Sequence, residues 1–271
     1  MLKLGHITYS NCLPVHAGIL DGFVDFPFEL VAGIPSELNR MLYEGSVAVS
    51  PSSSIEYALD PGKYLLLPDL SITSRTRAMS IILESSLPLA ELGGRTVALT
   101  KASATSVILL RIILEIMNGV RAEYTLFEQG SEEPAGPVAA ILTIGDLALQ
   151  RSATTSFPHV YDLGRLWNEF TGLPFVFALW QVNYKKDIDN ELTLLYDGVV
   201  RSKKYGLSHL QELAGRYAGP FGLPEPFLIE YWKSLSYDLG DEEQKGLLRF
   251  YGYAAEIGAI PSVPELVFFS R

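Results

Sequence analysis

The chain has 271 residues, of which 48% are hydrophobic and 19% charged, so a sizeable folded core is expected and wholesale disorder is not. A formal net charge of −10 repels phosphate backbones and anionic lipid, so nucleic acid and membrane surfaces are poor partners. The single cysteine, Cys12, excludes an internal disulfide and, with four histidines, argues against a structural zinc site.

Strand-like and helical patterns alternate through the first part of the chain. The strand patterns lie at residues 2–9, 28–32, 47–50, 64–67 and 78–83. One helix is predicted over 35–43, with Pro35 near its start and Gly45 at its end, and another over 55–59, after the serines at 52–54. This alternation predicts a parallel sheet.

A second unit repeats the alternation. Its strand patterns lie at residues 96–99, 123–127, 138–144, 160–163 and 175–182. A helix capped by Ser103 is predicted over 105–117, and another after Asp146. Residues 189–258 are almost all helical in pattern, with breaks at Gly206 and 219–226.

The order of these units predicts an α/β fold of two lobes. Residues 1–87 and 177–271 form lobe 1, and residues 88–176 form lobe 2. Two chain crossings create a hinge, expected at 85–88 and 176–180. This is the architecture of a type II periplasmic-binding-protein-like fold, with mostly parallel sheets flanked by helices and a ligand cleft between the lobes.

Three strand-to-helix junctions carry polar residues where α/β proteins usually bind ligands. Hydroxyls beside the free N–H groups of a helix start form a ready site for a carboxylate, although simple N-capping accounts for any one junction. The candidate substrate-binding residues are Ser52, Ser53, Ser54, Ser103, Thr105, Ser106, Gly145 and Asp146.

Several other residues have both a structural and a functional interpretation. Asn11 follows a strand and is either a turn residue or part of a site. Cys12 is more readily a buried small residue than a nucleophile paired with a histidine. Arg75 and Arg77 form a basic pair, for which surface exposure is the simpler interpretation.

The sequence resembles a known enzyme family. Residues 5–14, Gly-His-Ile-Thr-Tyr-Ser-Asn-Cys-Leu-Pro, resemble the G-x-I-x-Y-x-N-x-x-P opening of chorismate dehydratases of the futalosine route to menaquinone. Similar blocks follow at 35–40, 50–58, 100–107, 144–146, 161–164 and 167–180. The sister 1,4-dihydroxy-6-naphthoate synthases carry a Ser-Pro-Cys-Pro-Asn run that is not found here. Residues 74–78 replace a Gly-Pro-like turn of the family.

The resemblance implies dehydration of chorismate, a dicarboxylate, to 3-[(1-carboxyvinyl)oxy]benzoate, with no metal or organic cofactor. It places Asn11 and Ser80 nearest the reacting carbons as the catalytic residues. Neither is a strong base, so the enolpyruvyl carboxylate of the substrate is expected to take the proton. The junctions at 52–54 and 105–106 are expected to hold carboxylates, one from each lobe.

Two alternatives remain open from the sequence. One is a non-catalytic solute-binding or sensing protein for a small carboxylate, because the fold does not decide between binding and catalysis. The other is the sister synthase. The opening residues show no export leader and no apolar run is long enough to cross a bilayer, so a cytoplasmic location is expected.

Overall fold

The computed structural model describes residues 2–131, 133–152, 154–184 and 188–270. Its strands are β1 (Lys3–Ile7), β2 (Glu29–Gly33), β3 (Val49–Ser53), β4 (Tyr64–Ser74), β5 (Ile81–Ser85), β6 (Thr96–Thr100), β7 (Glu123–Phe127), β8 (Ala140–Ile144), β9 (His159–Asp162), β10 (Phe175–Asn183) and β11 (Leu235–Ser236). Its helices are α1 (Leu13–Leu20), α2 (Pro35–Glu44), α3 (Ser54–Leu59), α4 (Ala104–Ile112), α5 (Gly145–Ser152), α6 (Leu163–Thr171), α7 (Asp189–Ser208), α8 (Leu210–Phe221), α9 (Glu225–Ser234) and α10 (Asp241–Glu256).

The strands form two sheets, and both are mixed. The first sheet has the order β11-β4-β10-β3-β1-β2, with β1 parallel to β2 and β3 and with β10 antiparallel to β3 and β4. The second has the order β7-β6-β8-β5-β9, with β6 parallel to β7 and β8 and with β5 antiparallel to β8 and β9. The two-sheet α/β architecture agrees with the sequence, but the expectation of mostly parallel sheets does not. The antiparallel strands β5 and β10 are those at which the chain enters each sheet from the other.

The chain crosses between the sheets at positions that differ from the expected hinge. It leaves the first sheet after Ser74 and joins the second at Ile81, and it returns through α6 to Phe175. Strand β5 therefore pairs in the second sheet, although the predicted boundary at residue 87 grouped it with the first lobe. An apolar run such as β5 carries no local sign of which sheet it joins, because long-range pairing decides this.

Helices α1 and α6 are absent from the sequence-based prediction, and α7 extends past a predicted break. Helix α1 has its proline in the first turn, where a missing N–H is tolerated, and α6 begins after Asp162, whose carboxylate accepts a hydrogen bond from the Arg165 N–H at 3.0 Å. Helix α7 continues through Gly206, at which the sequence pattern predicts a break. The glycine serves close packing instead, since a Cβ there would lie 2.0 Å from the carbonyl oxygen of Pro14 in α1.

The largest hydrophobic cluster joins the two sheets. It includes Leu66 and Phe175 from the first sheet and Leu83 and Val97 from the second, with the fully buried Trp167 of α6 among them. The two sheets therefore share one hydrophobic core, which sets the spacing between their strand ends. Among the described residues, none of the helices has the length and apolar character needed to cross a membrane.

We expect Gly206→Ala to lower the free energy of unfolding by roughly 1–3 kcal/mol, because the added methyl group overlaps the Pro14 carbonyl. Gly215→Ala in α8 is the matched control, since a Cβ there meets nothing within 4 Å and alanine favours the helix. Urea unfolding of both variants measures the difference. Equal stability of the two variants contradicts the close contact between α1 and α7.

Candidate functional site

A cleft of about 450 Å³, counting the solvent at its mouth, lies between the two sheets. Its walls come from strands and helix starts of both sheets. Six residues predicted from the sequence line it, namely Asn11, Ser53, Ser80, Ser103, Ser106 and Gly145. The strand-to-helix junctions thus meet at one place, as the topology of α/β sheets favours.

Helix N-termini from both lobes point their first residues at this cleft. Pro35 opens α2, Ser103 precedes α4, and Gly145 opens α5, and all three line the cleft. The start of a helix carries partial positive charge from its unpaired N–H groups. The convergence therefore makes the cleft favourable for an anion in a protein whose net charge is negative.

The hydroxyls at these helix starts differ in their availability. Ser103 is a true N-cap of α4: its Oγ accepts the Ser106 N–H at 3.3 Å, and the two hydroxyls lie 3.0 Å apart. Ser53 precedes α3, and within the described ranges its side chain makes no capping hydrogen bond. Its backbone is held instead by Asn39, whose Oδ1 accepts the Ser53 N–H at 3.3 Å. The Ser53 hydroxyl is therefore free to face a ligand.

Asn11 presents an unsatisfied acceptor at the cleft. It lies in the 3₁₀ turn Ser10–Cys12 between β1 and α1, and it lines the cleft. Its Oδ1 is buried and has no hydrogen-bond partner in the described part of the chain. A buried acceptor without a partner is costly, so a ligand donor is the natural complement of this amide.

Ser80 is held in the cleft by a strained loop. Met79 before it has a φ of 61°, a region that non-glycine residues seldom adopt. The Asp162 carboxylate accepts the N–H groups of Ala78 at 3.0 Å and Met79 at 2.7 Å, and Gly145 donates its N–H to the Ser80 carbonyl at 2.8 Å. A strained backbone conformation that several hydrogen bonds hold in place is typical of functional positions.

Four of the predicted substrate-binding residues do not line the cleft, and the side chains of three of them form hydrogen bonds with other parts of the protein. Ser54 Oγ donates to the Val176 carbonyl at 2.8 Å, and Thr105 Oγ1 accepts the Ile55 N–H at 3.1 Å. Asp146 accepts hydrogen bonds from both the N–H and the hydroxyl of Ser10. In this arrangement Thr105 and Asp146 therefore make contacts between the lobes, and Ser54 takes part through its hydroxyl, which lies 3.3 Å from Thr105 Oγ1. Binding of substrate by these three side chains stays a prediction. Ser52 is fully buried behind the cleft.

Sequence reasoning missed the side chains that shape the cleft. Tyr9, Ile72 and Phe177 line it, and the Tyr9 ring lies so close to Gly145 that a Cβ there would be 3.0 Å from Cδ2 of the ring. Gly145 also has a φ of +66°, so glycine is required at this junction for two reasons. Tyr9 belongs to the opening motif, which was the one available signal for it.

The cleft is lined by uncharged residues, both apolar and polar. Within the described ranges, its lining contains no acidic, basic or histidine side chain. Burial, followed by the nearby Asp146 carboxylate, raises the pKa of Tyr9 to about 12, so its hydroxyl stays protonated. Arg75 and Arg77 do not line the cleft and form ion pairs with Glu243 at 2.9 Å and Glu230 at 2.5 Å.

A histidine and cysteine cluster lies behind the 3₁₀ turn. His6, Cys12 and His16 place their ligand atoms within 4.8 Å of one another, the arrangement closest to a metal site among the described residues. The two Nδ1 atoms, however, are 2.7 Å apart, a hydrogen-bond distance. Two nitrogens on one tetrahedral ion lie about 3.3 Å apart, given Zn–N bonds of about 2.0 Å. The cluster is thus closed by its own hydrogen bond and does not fit a shared metal ion.

Comparison with solved structures identifies the fold. Protein AF1704 from Archaeoglobus fulgidus matches with a TM-score of 0.76 at 19% identity, over 96% of this chain and 98% of that one. The periplasmic aliphatic sulphonate binding protein SsuA from Escherichia coli matches with a TM-score of 0.63 at 15% identity, over 98% and 94%. The molecule therefore has the periplasmic-binding-protein-like fold expected from the sequence.

Sequence comparison defines the family. A family described as menaquinone biosynthesis matches residues 2–256, and the chain belongs to this family. The chorismate dehydratase of Thermus thermophilus is 32% identical over 96% of both chains. The 1,4-dihydroxy-6-naphtoate synthase of the same organism is 26% identical over 98% of both. The family resemblance drawn from the opening motif is confirmed.

The buried histidine pair predicts a loss of stability in acid. Burial lowers the pKa of His6 to about 4 and that of His16 well below its usual range. The unfolded chain takes up these protons near pH 6.5, so stability is fully present above that pH and falls as the pH drops toward 4. The slope reaches about 1.4 kcal/mol per pH unit for each histidine.

Urea unfolding between pH 7 and pH 5 measures this effect. His6→Asn should flatten the slope, and His159→Asn on β9, outside the buried pair, should leave it as in the parent protein. Identical slopes for His6→Asn and the parent rule out the histidine pair as the cause.

Proposed function

We propose that this chain is a chorismate dehydratase, a hydro-lyase that forms 3-[(1-carboxyvinyl)oxy]benzoate and water in the futalosine route to menaquinone. The observation that carries the proposal is the 32% identity over 96% of the chain to a chorismate dehydratase. The cleft supports it, because converging helix N-termini suit a dicarboxylate. The cytoplasmic location expected from the sequence stays a prediction.

The chemistry needs a proton acceptor and a path for the leaving hydroxyl. The C–H bond at the ring carbon bearing the enolpyruvyl ether breaks, the neighbouring C–OH bond breaks, and a ring double bond forms while the proton and hydroxyl leave as water. The ring carboxylate acidifies that hydrogen through the diene, and aromatisation drives the step. The described residues that line the cleft offer no carboxylate or imidazole base, which supports the substrate's own carboxylate as the acceptor.

In this proposal Asn11 and Ser80 hold the reactive conformer and hydrogen-bond the departing hydroxyl or the developing negative charge. One substrate carboxylate lies at the start of α3, with Ser53 as its hydroxyl donor, and the other lies at the start of α4, with Ser103 and Ser106 as donors. The protein thus contributes orientation and a fixed field rather than a titrating group.

Two other functions are separated from this one by assay. The sister synthase is favoured by the 26% identity to a 1,4-dihydroxy-6-naphtoate synthase, and a solute-binding protein by the fold alone. Incubation of the pure protein with chorismate should abolish the diene absorbance and give a product lighter by one water. Binding of chorismate without loss of the diene would support a solute-binding protein, and no interaction with chorismate would leave the sister synthase.

The first catalytic prediction concerns Asn11. Asn11→Ala should lower kcat by ~10²–10³ with little change in affinity, as expected for loss of a preorganised polar group. Asn11→Asp should be equally slow, because a carboxylate keeps the acceptor oxygen but removes the amide N–H groups and repels a dianionic substrate. Asn168→Asp in α6, which lies outside the cleft, is the matched control. Turnover by Asn11→Asp at the parent rate points instead to a protein base at this position.

The second catalytic prediction separates two neighbouring hydroxyls of α4. Ser106→Ala should raise KM by roughly 10- to 100-fold and leave kcat nearly unchanged, because a carboxylate contact exists in both ground and transition states. Thr105→Val should instead lower the free energy of unfolding by about 1–2 kcal/mol, since it removes the bond to the Ile55 N–H. A raised KM in Thr105→Val alone would reverse the two assignments.

A further inference from the structure

Ser80 has a buried hydrogen-bond partner that no sequence pattern indicates. Tyr231, on helix α9, is fully buried, and its hydroxyl donates to Ser80 Oγ at 2.8 Å. Helix α9 is more than a hundred residues away along the chain from Ser80, and the contact is formed only by the folded structure. The hydroxyl thus reaches the cleft through Ser80 and does not line the cleft itself.

The direction of this hydrogen bond determines what Ser80 can do. Burial raises the pKa of Tyr231 well above its usual value, so the phenol keeps its single proton and donates it in the hydrogen bond to Ser80. The Ser80 hydroxyl therefore has its own proton left to donate. Among the residues that the structure describes, the acceptor recorded for this proton is the Ala78 carbonyl, which is distant at 3.4 Å.

We propose that Tyr231 is the positioning residue that makes Ser80 a hydrogen-bond donor toward the substrate's departing hydroxyl. The proposal rests on the proposed dehydratase function. By occupying an acceptor site on Ser80 Oγ, Tyr231 selects the rotamer in which the serine proton faces the cleft. A chain of two hydroxyls also polarises the second O–H, which strengthens it as a donor when the C–O bond breaks. No proton leaves Tyr231 in this arrangement.

The strained loop and Tyr231 have complementary effects on Ser80. Asp162 fixes the backbone through the N–H groups of Ala78 and Met79, which sets where the serine Cβ lies. Tyr231 then fixes the hydroxyl about the Cα–Cβ and C–O bonds. Both groups act through Ser80, so neither needs to touch the substrate.

The test is a double-mutant cycle measured with chorismate. Tyr231→Phe should lower kcat roughly tenfold, the equivalent of one net hydrogen bond, with KM within about twofold of the parent. In a Ser80→Ala background the same change should have no further effect on kcat, because the group that Tyr231 orients is gone.

Tyr251→Phe is the matched control. Tyr251 is also fully buried and donates to a protein oxygen, the Ser54 carbonyl, at 2.6 Å, but it does not line the cleft or contact Ser80. Its loss should lower stability and leave kcat unchanged. All variants are assayed at a temperature at which circular dichroism shows each one fully folded, so that unfolded protein cannot account for a slower rate.

The outcomes separate this inference from the proposed function. The positioning role is overturned if the parent is active and Tyr231→Phe has the same kcat. It is also overturned if Tyr231→Phe lowers kcat equally in the parent and in Ser80→Ala. Either result leaves the dehydratase function intact. A parent without turnover overturns the dehydratase function and this inference with it. The positioning role is supported if Tyr231→Phe lowers kcat in the parent and has no further effect on kcat in Ser80→Ala.

Discussion

The convergence of helix N-termini on one cleft is the interaction on which the rest of the site depends. Helices α2, α4 and α5 begin at the cleft because each follows a strand whose carboxyl end lies there. Their partial charges are fixed by the backbone, so they need neither a lysine nor an arginine in the lining. An acidic protein can therefore attract an anion at one place while its surface repels anions in general.

The same helix starts also hold the lobes together. Ser54 and Thr105 bring α3 and α4 into contact, and the Asp146 carboxylate at the start of α5 binds Ser10. Polar groups at the cleft margin are thus divided between closing the lobes and facing the cavity. A movement that widens the cleft would exchange these inter-lobe hydrogen bonds for hydrogen bonds to water.

The sequence predicted which junctions line the cleft better than it predicted the contacts that each side chain makes there. Local signals located Ser53, Ser103 and Gly145, because caps and turn glycines follow from backbone chemistry. Thr105 and Asp146 carry the same local signals but contact the opposite lobe, and no local pattern distinguishes the two cases. The Tyr231–Ser80 contact and the pairing of β5 in the second sheet are likewise long-range, so only the folded chain reveals them.

The left-handed backbone of Met79 has a consequence for the energetics of ligand capture. A strained residue of this kind costs of order 1–3 kcal/mol, and Asp162 compensates for it when the chain folds. The loop is therefore already ordered before any ligand arrives, and little conformational entropy remains to be lost there on binding. The conformational entropy of this loop is therefore lost once, when the chain folds, and is not lost again each time a ligand binds.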